Sequence, residues 1–136
     1  MTNVSLKKML ANISETLVNI LSYLTVETIS VSPSSTTRGT FVSYNCKRYG
    51  KVVWFQATVR NTSSTAAGAN IYEGTMSTSL PRPYAFTTGG SYYGVHAITG
   101  SINANRTLII RNASSTAVTI DSNNTASVSF TYITQD

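Results

Sequence analysis

The sequence contains few charged residues. Asp, Glu, Lys and Arg make up 11% of its 136 residues, against roughly 25% in an ordinary soluble domain. Acidic residues are the scarcest, five against ten basic ones, which gives a net charge of +5. Lys47, Arg48 and Lys51 form the tightest basic cluster, around Tyr49–Gly50. Such a turn could contact phosphates, but the sparse pattern of basic residues favours a solvated hairpin tip.

Cysteine and histidine each occur once. With Cys46 alone, the chain has no intrachain disulfide and no cysteine metal site, and its strand-like surroundings predict a small buried side chain. With His96 alone, neither a histidine-rich metal site nor a histidine-based triad with spare members is available. We therefore predict no catalytic, metal or cofactor-binding residues. The simplest interpretation of His96 is a structural histidine that shares a strand face with Tyr92 and Ile98.

The five carboxylates leave one conceivable catalytic pair. A glycosidase needs two carboxylates that face a single cleft. Glu15 falls in an N-terminal helical pattern, Glu27 at its junction with the next segment and Asp136 at the end of the sequence. Only Glu73 and Asp121 remain, and we regard an enzyme as the weakest interpretation.

No apolar run is long enough to predict a membrane span. Lys7–Lys8 before an apolar stretch resembles the start of a secretion signal. However, Asn12, Glu15 and Asn19 interrupt that stretch, and no small-residue cleavage site follows Leu24.

Residues 5 to 24 instead carry a heptad pattern. Large aliphatic residues recur at alternating intervals of four and three: Leu6, Leu10, Ile13, Leu17, Ile20 and Leu24. This spacing is typical of a coiled coil, and leucine at a with isoleucine at d favours three or four helices over two. We predict a coiled-coil stem helix in residues 1–25. Either Ser5 is its N-cap or the helix continues upstream of Ser5 in a longer parent chain. The alternative is a single amphipathic helix that packs on its own domain.

After Leu24 the hydrophobic period changes to two, which predicts strands. Residues 26–136 are therefore predicted to form a jelly-roll-like antiparallel β-sandwich head without helices. The predicted strands are Val26–Val31, Thr40–Tyr49, Lys51–Arg60, Ala69–Met76, Tyr92–Thr99, Arg106–Arg111, Ala117–Asp121 and Ala126–Thr134, separated by turn-rich segments that include Ser32–Gly39 and Thr87–Ser91.

In two of the predicted strands, alternating apolar residues indicate which face is buried. Val53, Phe55, Ala57 and Val59 alternate along one face of the third predicted strand, and Val128, Phe130 and Tyr132 along one face of the last. Val52 and Trp54 lie on the opposite face of the third strand and would face water in a monomer. We therefore predict that Trp54, like the six heptad residues, lies in an interface between subunits.

Four segments carry a resemblance to a known family: GKVVWFQATVR, GTMSTSLPRPYAF, SINANRTLIIRN and ASVSFTYIT. After a helical stem, they resemble the C-terminal head domains of tail-fibre and baseplate receptor-binding proteins of bacteriophages, especially those that infect Gram-positive bacteria. The resemblance implies a homotrimer of jelly-roll-like heads that binds host cell-surface polysaccharide without catalysis or a cofactor. It also implies that other tail or baseplate proteins are partners and that the protein neither binds nucleic acid nor inserts into a membrane. The protein would be made in the bacterial cytoplasm and would lie at the phage tail tip.

The resemblance carries over no receptor-binding residue, so the candidate saccharide site comes from residue chemistry. Sugar sites combine an aromatic platform with polar side chains that orient hydroxyls. The segment from Arg82 to His96 has that chemistry, since Gly89–Gly90 is flanked by Arg82, Tyr84, Phe86, Tyr92, Tyr93 and His96. The alternative is a tyrosine-rich interface between heads.

Two other functions fit the same sequence. One is a purely structural trimerisation or virion decoration domain that contacts no receptor. The other is a secreted or spore-surface trimer with a jelly roll like those of tumour necrosis factor or complement.

Overall fold

A computed structural model describes residues 2–136, apart from the side chains of residues 22 and 23. Residue 1 of the predicted stem lies outside the described residues. One helix, α1, precedes the strands. In chain order these elements are α1 Asn3–Leu24, β1 Val26–Thr28, β2 Pro33–Arg38, β3 Thr40–Tyr49, β4 Val52–Arg60, β5 Asn70–Met76, β6 Thr87–Tyr93, β7 His96–Ile102, β8 Thr107–Asn112 and β9 Ala126–Ile133.

The N-cap of helix α1 lies three residues before the predicted one. Thr2, in an extended conformation, is the N-cap, and its hydroxyl accepts a hydrogen bond from the main-chain N–H of Ser5 at 3.1 Å. The prediction that Ser5 is the cap was wrong because Thr2 satisfies the same need one turn earlier. At the other end, Thr25 is extended and leads directly into β1.

The strands form two antiparallel sheets, which confirms the prediction of a mainly β protein with one N-terminal helix. The four-stranded sheet has the order β1-β3-β4-β9, and the five-stranded sheet has the order β2-β5-β8-β7-β6. Hairpins join β3 to β4, β6 to β7 and β7 to β8 within their sheets. The β3–β4 hairpin has the two-residue turn Gly50–Lys51, and Gly50 takes a positive φ of 60° that suits its place there.

The core lies between the two sheets. Val53, Phe55, Ala57 and Val59 of β4 are fully buried, as are Leu108 and Ile110 in the facing sheet. Phe55 stacks on Phe130 of β9 with 6.1 Å between the ring centroids. The predicted inward faces of β4 and β9 are therefore confirmed, and Cys46 is also buried as predicted.

Four strand or turn predictions in the head were wrong, and three of them concern residues 33–38 and 87–99. Pro33–Arg38 and Thr87–Tyr93 are strands in segments predicted as turns, because Ser, Thr and Gly hide the alternation while the main chain still pairs with a neighbouring strand. Tyr92–Thr99 is not one strand but the end of β6, a turn and the start of β7.

The predicted strand Ala117–Asp121 is a loop that makes a single bridge, between Val118 and Thr65. Its apolar residues Val118 and Ile120 are buried. The alternation of apolar residues therefore predicted the buried positions correctly, but the segment does not pair as a strand. Among residues 2–136, no helix is long and apolar enough to cross a membrane.

Candidate functional site

The structure separates the two central residues of the predicted saccharide site. Tyr92 and Tyr93 are neighbours in β6, so their side chains point to opposite faces of the sheet. Tyr92 is 76% exposed, whereas Tyr93 is half-buried against the core. The rings of Tyr92 and Tyr93 therefore do not form a single aromatic platform.

His96 does not lie on the same face as Tyr92. Tyr92 pairs with Ala97 across the β6–β7 hairpin, which places His96 with Ile98 on the inner face of β7. Nδ1 of His96 lies 3.1 Å from the hydroxyl oxygen of Ser114. These contacts agree with the interpretation of His96 as a structural residue, although the predicted shared face with Tyr92 was wrong.

Arg82 and Tyr84 contact the end of β9 and the residues that follow it. The guanidinium of Arg82 forms an ion pair with Asp136, with 2.6 Å between Nη2 and Oδ1. Tyr84 is 77% exposed, and its main-chain N–H donates to the carbonyl of Ile133 at the end of β9. Both residues therefore belong to the turn that precedes β6 and packs on the C-terminal segment.

A groove lies instead on the outer face of the five-stranded sheet, where β6, β7 and β8 run side by side. It encloses about 460 Å³. The cross-strand register sets two rows of outward side chains, Thr88–Ser101–Ile109 and Thr99–Arg111. The complete lining is Phe86, Thr88, Gly89, Thr99, Gly100, Ser101, Ile109 and Arg111.

Glycines produce this groove. A Cβ on Gly89 would overlap the carbonyl oxygen of Ser129, and one on Gly100 would lie 2.8 Å from both Phe130 and Val128. Because Gly89 and Gly100 have no Cβ atom, β6 and β7 can approach β9 closely. On the outer face, a Cβ on Gly90 would have only the carbonyl oxygen of Ile98 within 4 Å, at 3.9 Å. Gly90, which pairs with Thr99, therefore places no side chain on this part of the outer face.

The groove has one cationic wall. Arg111 is the only charged residue in its lining. Nε of Arg111 donates to Asn70 Oδ1 at 3.3 Å, and the amide of Asn70 donates to Glu73 Oε2 at 3.0 Å. This chain of side chains orients the guanidinium across the outer face of the sheet.

Sequence reasoning found Phe86 but missed the other side chains of the groove. Thr88, Thr99, Ser101, Ile109 and Arg111 come from three strands and meet only through the register. The one available signal was glycine, at Gly89–Gly90 and Gly100. Glycine inside a strand indicates close approach of another backbone, but these residues fell outside the predicted strands.

The outer face of the four-stranded sheet differs because it is apolar at one end. Val26, Tyr49, Val52 and Ile133 align across all four strands. We call these four residues the apolar row. Trp54, half-buried, lies in the adjacent row between Lys47 and Thr131.

The two carboxylates of the conceivable catalytic pair have separate local partners. Glu73 accepts a hydrogen bond from Asn70, and Asp121 Oδ1 accepts from Asn123 N and Asn124 Nδ2. In the part of the chain that the structure describes, no three His, Cys, Asp or Glu side chains are grouped as metal ligands would be.

Comparisons of the chain with protein-family models, with curated proteins and with solved structures gave no match.

Proposed function

We propose that this chain is the trimeric head of a bacteriophage tail-fibre or baseplate receptor-binding protein. In this proposal three jelly-roll-like heads assemble through their stems and bind host cell-surface saccharide without catalysis. The observation that carries it is a heptad helix whose apolar seam is not covered by any of the residues that the structure describes. Leu6, Leu10, Ile13, Leu17, Ile20 and Leu24 are between 42% and 71% exposed.

The exposed seam favours self-association on energetic grounds. Full burial of one large aliphatic side chain contributes roughly 1.5–3 kcal/mol, whereas ordering the backbone costs about 1–2 kcal/mol per residue. A single exposed helix of 22 residues is therefore marginal in water. Packing of three seams against each other stabilises it, and the a and d residues favour more than two helices.

The apolar row extends this surface onto the head. Val26 follows the stem after a single residue, and its side chain is 47% exposed in line with Tyr49, Val52 and Ile133. Subunits that pack along the seam would also cover this row and Trp54. The predicted interface role of Trp54 is consistent with that arrangement.

The groove lies on the other sheet, so this assembly leaves it accessible. Phe86 offers an exposed aromatic ring, and threonine and serine hydroxyls line the floor. An aromatic ring beside convergent polar groups is the chemistry that sugars require. The groove therefore replaces the segment from Arg82 to His96 as the proposed receptor site.

Light scattering tests the assembly. We expect a mass three times the 14.6 kDa of one chain. Ile13→Asp should reduce the mass to that of the monomer by placing a charge in the seam. The matched control is Asn12→Asp on the polar side of α1. A wild-type protein that stays monomeric at micromolar concentration would refute the proposal.

Binding to cells tests the receptor function. Fluorescently labelled trimer should bind a subset of Gram-positive cells, and should lose that binding when their wall polysaccharide is removed chemically. A trimer that binds no cells and no purified wall polysaccharide would instead favour a structural trimerisation or virion decoration domain, for which the same exposed seam is sufficient.

A further inference from the structure

We infer that the groove on β6, β7 and β8 binds an acidic saccharide unit, with Arg111 on the anionic group and Phe86 on the sugar ring. This inference rests on the proposed saccharide-binding function and specifies its ligand class. The anionic group is a carboxylate or a phosphate ester, since a guanidinium binds both in the same way.

The guanidinium of Arg111 is oriented by a hydrogen bond but has no carboxylate partner among the described residues. Its Nε is held by Asn70, and in residues 2–136 no carboxylate lies within 4.0 Å of its guanidinium nitrogens. The nearby Glu73 carboxylate is engaged by the amide of Asn70. Two terminal guanidinium nitrogens therefore remain for a ligand, and a fixed Nε reduces the entropy lost on binding.

Three hydroxyls of the groove are also free for a ligand. Thr88, Thr99 and Ser101 make no side-chain hydrogen bond to any of the described residues, whereas Thr58 and Ser127 on the other sheet bond to each other at 2.8 Å. Hydroxyls can both donate and accept, which matches the hydroxyls of a sugar. A row of such groups beside a cation favours an acidic sugar over an acidic peptide.

The dimensions agree with a small saccharide. Ligand pockets typically enclose about 300–1,000 Å³, and this groove encloses about 460 Å³. Phe86 is 67% exposed at the mouth of the groove, where its ring can cover the apolar face of a sugar. The groove is open, which suits one unit within a longer polymer.

NMR titration of the 136-residue protein tests the inference with glucuronate, glucose 1-phosphate, glucose and inorganic phosphate as probes. We expect at least one of the two acidic sugars to shift the Thr99 amide and Arg111 Nε–H signals. Its affinity should exceed that of glucose and of inorganic phosphate by about tenfold or more, the value of one charge-assisted hydrogen bond. Equal binding of glucose, equal binding of phosphate, or no binding by any probe would overturn the inference.

Variants locate the site. Arg111→Gln should lower affinity for the acidic sugar about tenfold or more, and Thr99→Trp, which fills the groove, should abolish binding. Lys8→Gln removes the same charge from the stem and should have no effect. If wild-type trimer binds cells and Arg111→Gln and Thr99→Trp bind them equally well, the inference fails while the proposed function stands. If acidic sugars bind the groove but the trimer binds no cells, the proposed function fails instead.

Discussion

Arg82 and Asp136, which lie 54 residues apart in the chain, form an ion pair with 2.6 Å between Nη2 and Oδ1. The other carboxylate oxygen accepts from the main-chain N–H of Arg82 at 2.7 Å. The main-chain oxygen of Asp136 accepts from Arg48 at 2.9 Å and from Lys51 at 2.6 Å. Two cations of the predicted hairpin tip thus bind the C-terminal residue and are not simply solvated.

Loss of the Asp136 charge should weaken this arrangement. The hydrogen bonds from Arg82 hold the pKa of the Asp136 carboxyl below its usual value. Its folded pKa is depressed, so its contribution is complete above the pKa of an unfolded aspartate, about 4, and is lost as the pH falls through the lower folded value. Because the pair is partly exposed, we expect Asp136→Asn to cost about 1 kcal/mol or less.

Urea unfolding at neutral pH and near pH 3 measures this effect. The stability difference between wild type and Asp136→Asn should be present at neutral pH and shrink in acid. Glu15→Gln on α1 serves as the control for a lost carboxylate. A difference that stays constant with pH would show that the charge of Asp136 has no part in stability.

Asn112 should be one of the least replaceable polar residues. It is fully buried, and its amide nitrogen donates to the carbonyls of Thr65, Ala66 and Thr116. A carboxylate there could not donate and would face three carbonyl oxygens. We expect Asn112→Asp to destabilise the fold by about 3 kcal/mol or more, whereas Asn105→Asp in an exposed turn should change stability little. Thermal unfolding compares the two, and similar melting temperatures would contradict the role of Asn112.

The glycines beneath the groove provide a matched pair of variants. Gly100→Ala would bring a methyl group within 2.8 Å of Phe130 and Val128, whereas Gly90→Ala would meet almost nothing. We expect Gly100→Ala to cost about 1–3 kcal/mol through overpacking. Gly90→Ala should be neutral or stabilise by up to about 1 kcal/mol, because it restricts the unfolded chain. Equal effects in urea unfolding would show that β6 and β7 do not approach β9 as closely as described.

Strands were predicted correctly where buried apolar residues alternate with polar or more exposed residues. In β4, buried Val53, Phe55, Ala57 and Val59 alternate with polar or half-buried residues, so the strand and its inward face were predictable. Strand β2 exposes nearly all of its Ser and Thr side chains, and only pairing with β5 makes it a strand. Local sequence contains no information on that pairing.

The groove was unpredictable for the same reason. Thr99 and Arg111 are adjacent only because the β7–β8 register pairs them. The predicted site from Arg82 to His96 assumed that neighbours in sequence share a surface. Strand alternation separates Tyr92 from Tyr93, and the ion pair with Asp136 holds Arg82 elsewhere.

Cys46 offers a probe of how tightly the core between the two sheets is packed. Burial, and secondarily the negative charge of Glu27, raise the pKa of its thiol to about 11. A rise of this size lowers the native thiolate fraction near pH 8 by roughly a hundredfold. We expect the native protein to react with dithiobis(nitrobenzoate) at least that much more slowly than the protein in urea, since the thiolate is the reactive form. If local opening of the fold controls access to the thiol, Glu27→Gln leaves the native rate nearly unchanged. A rate that rises with this substitution would instead assign control to the thiol pKa. A native rate equal to the rate in urea would mean that Cys46 is not buried in the core in solution.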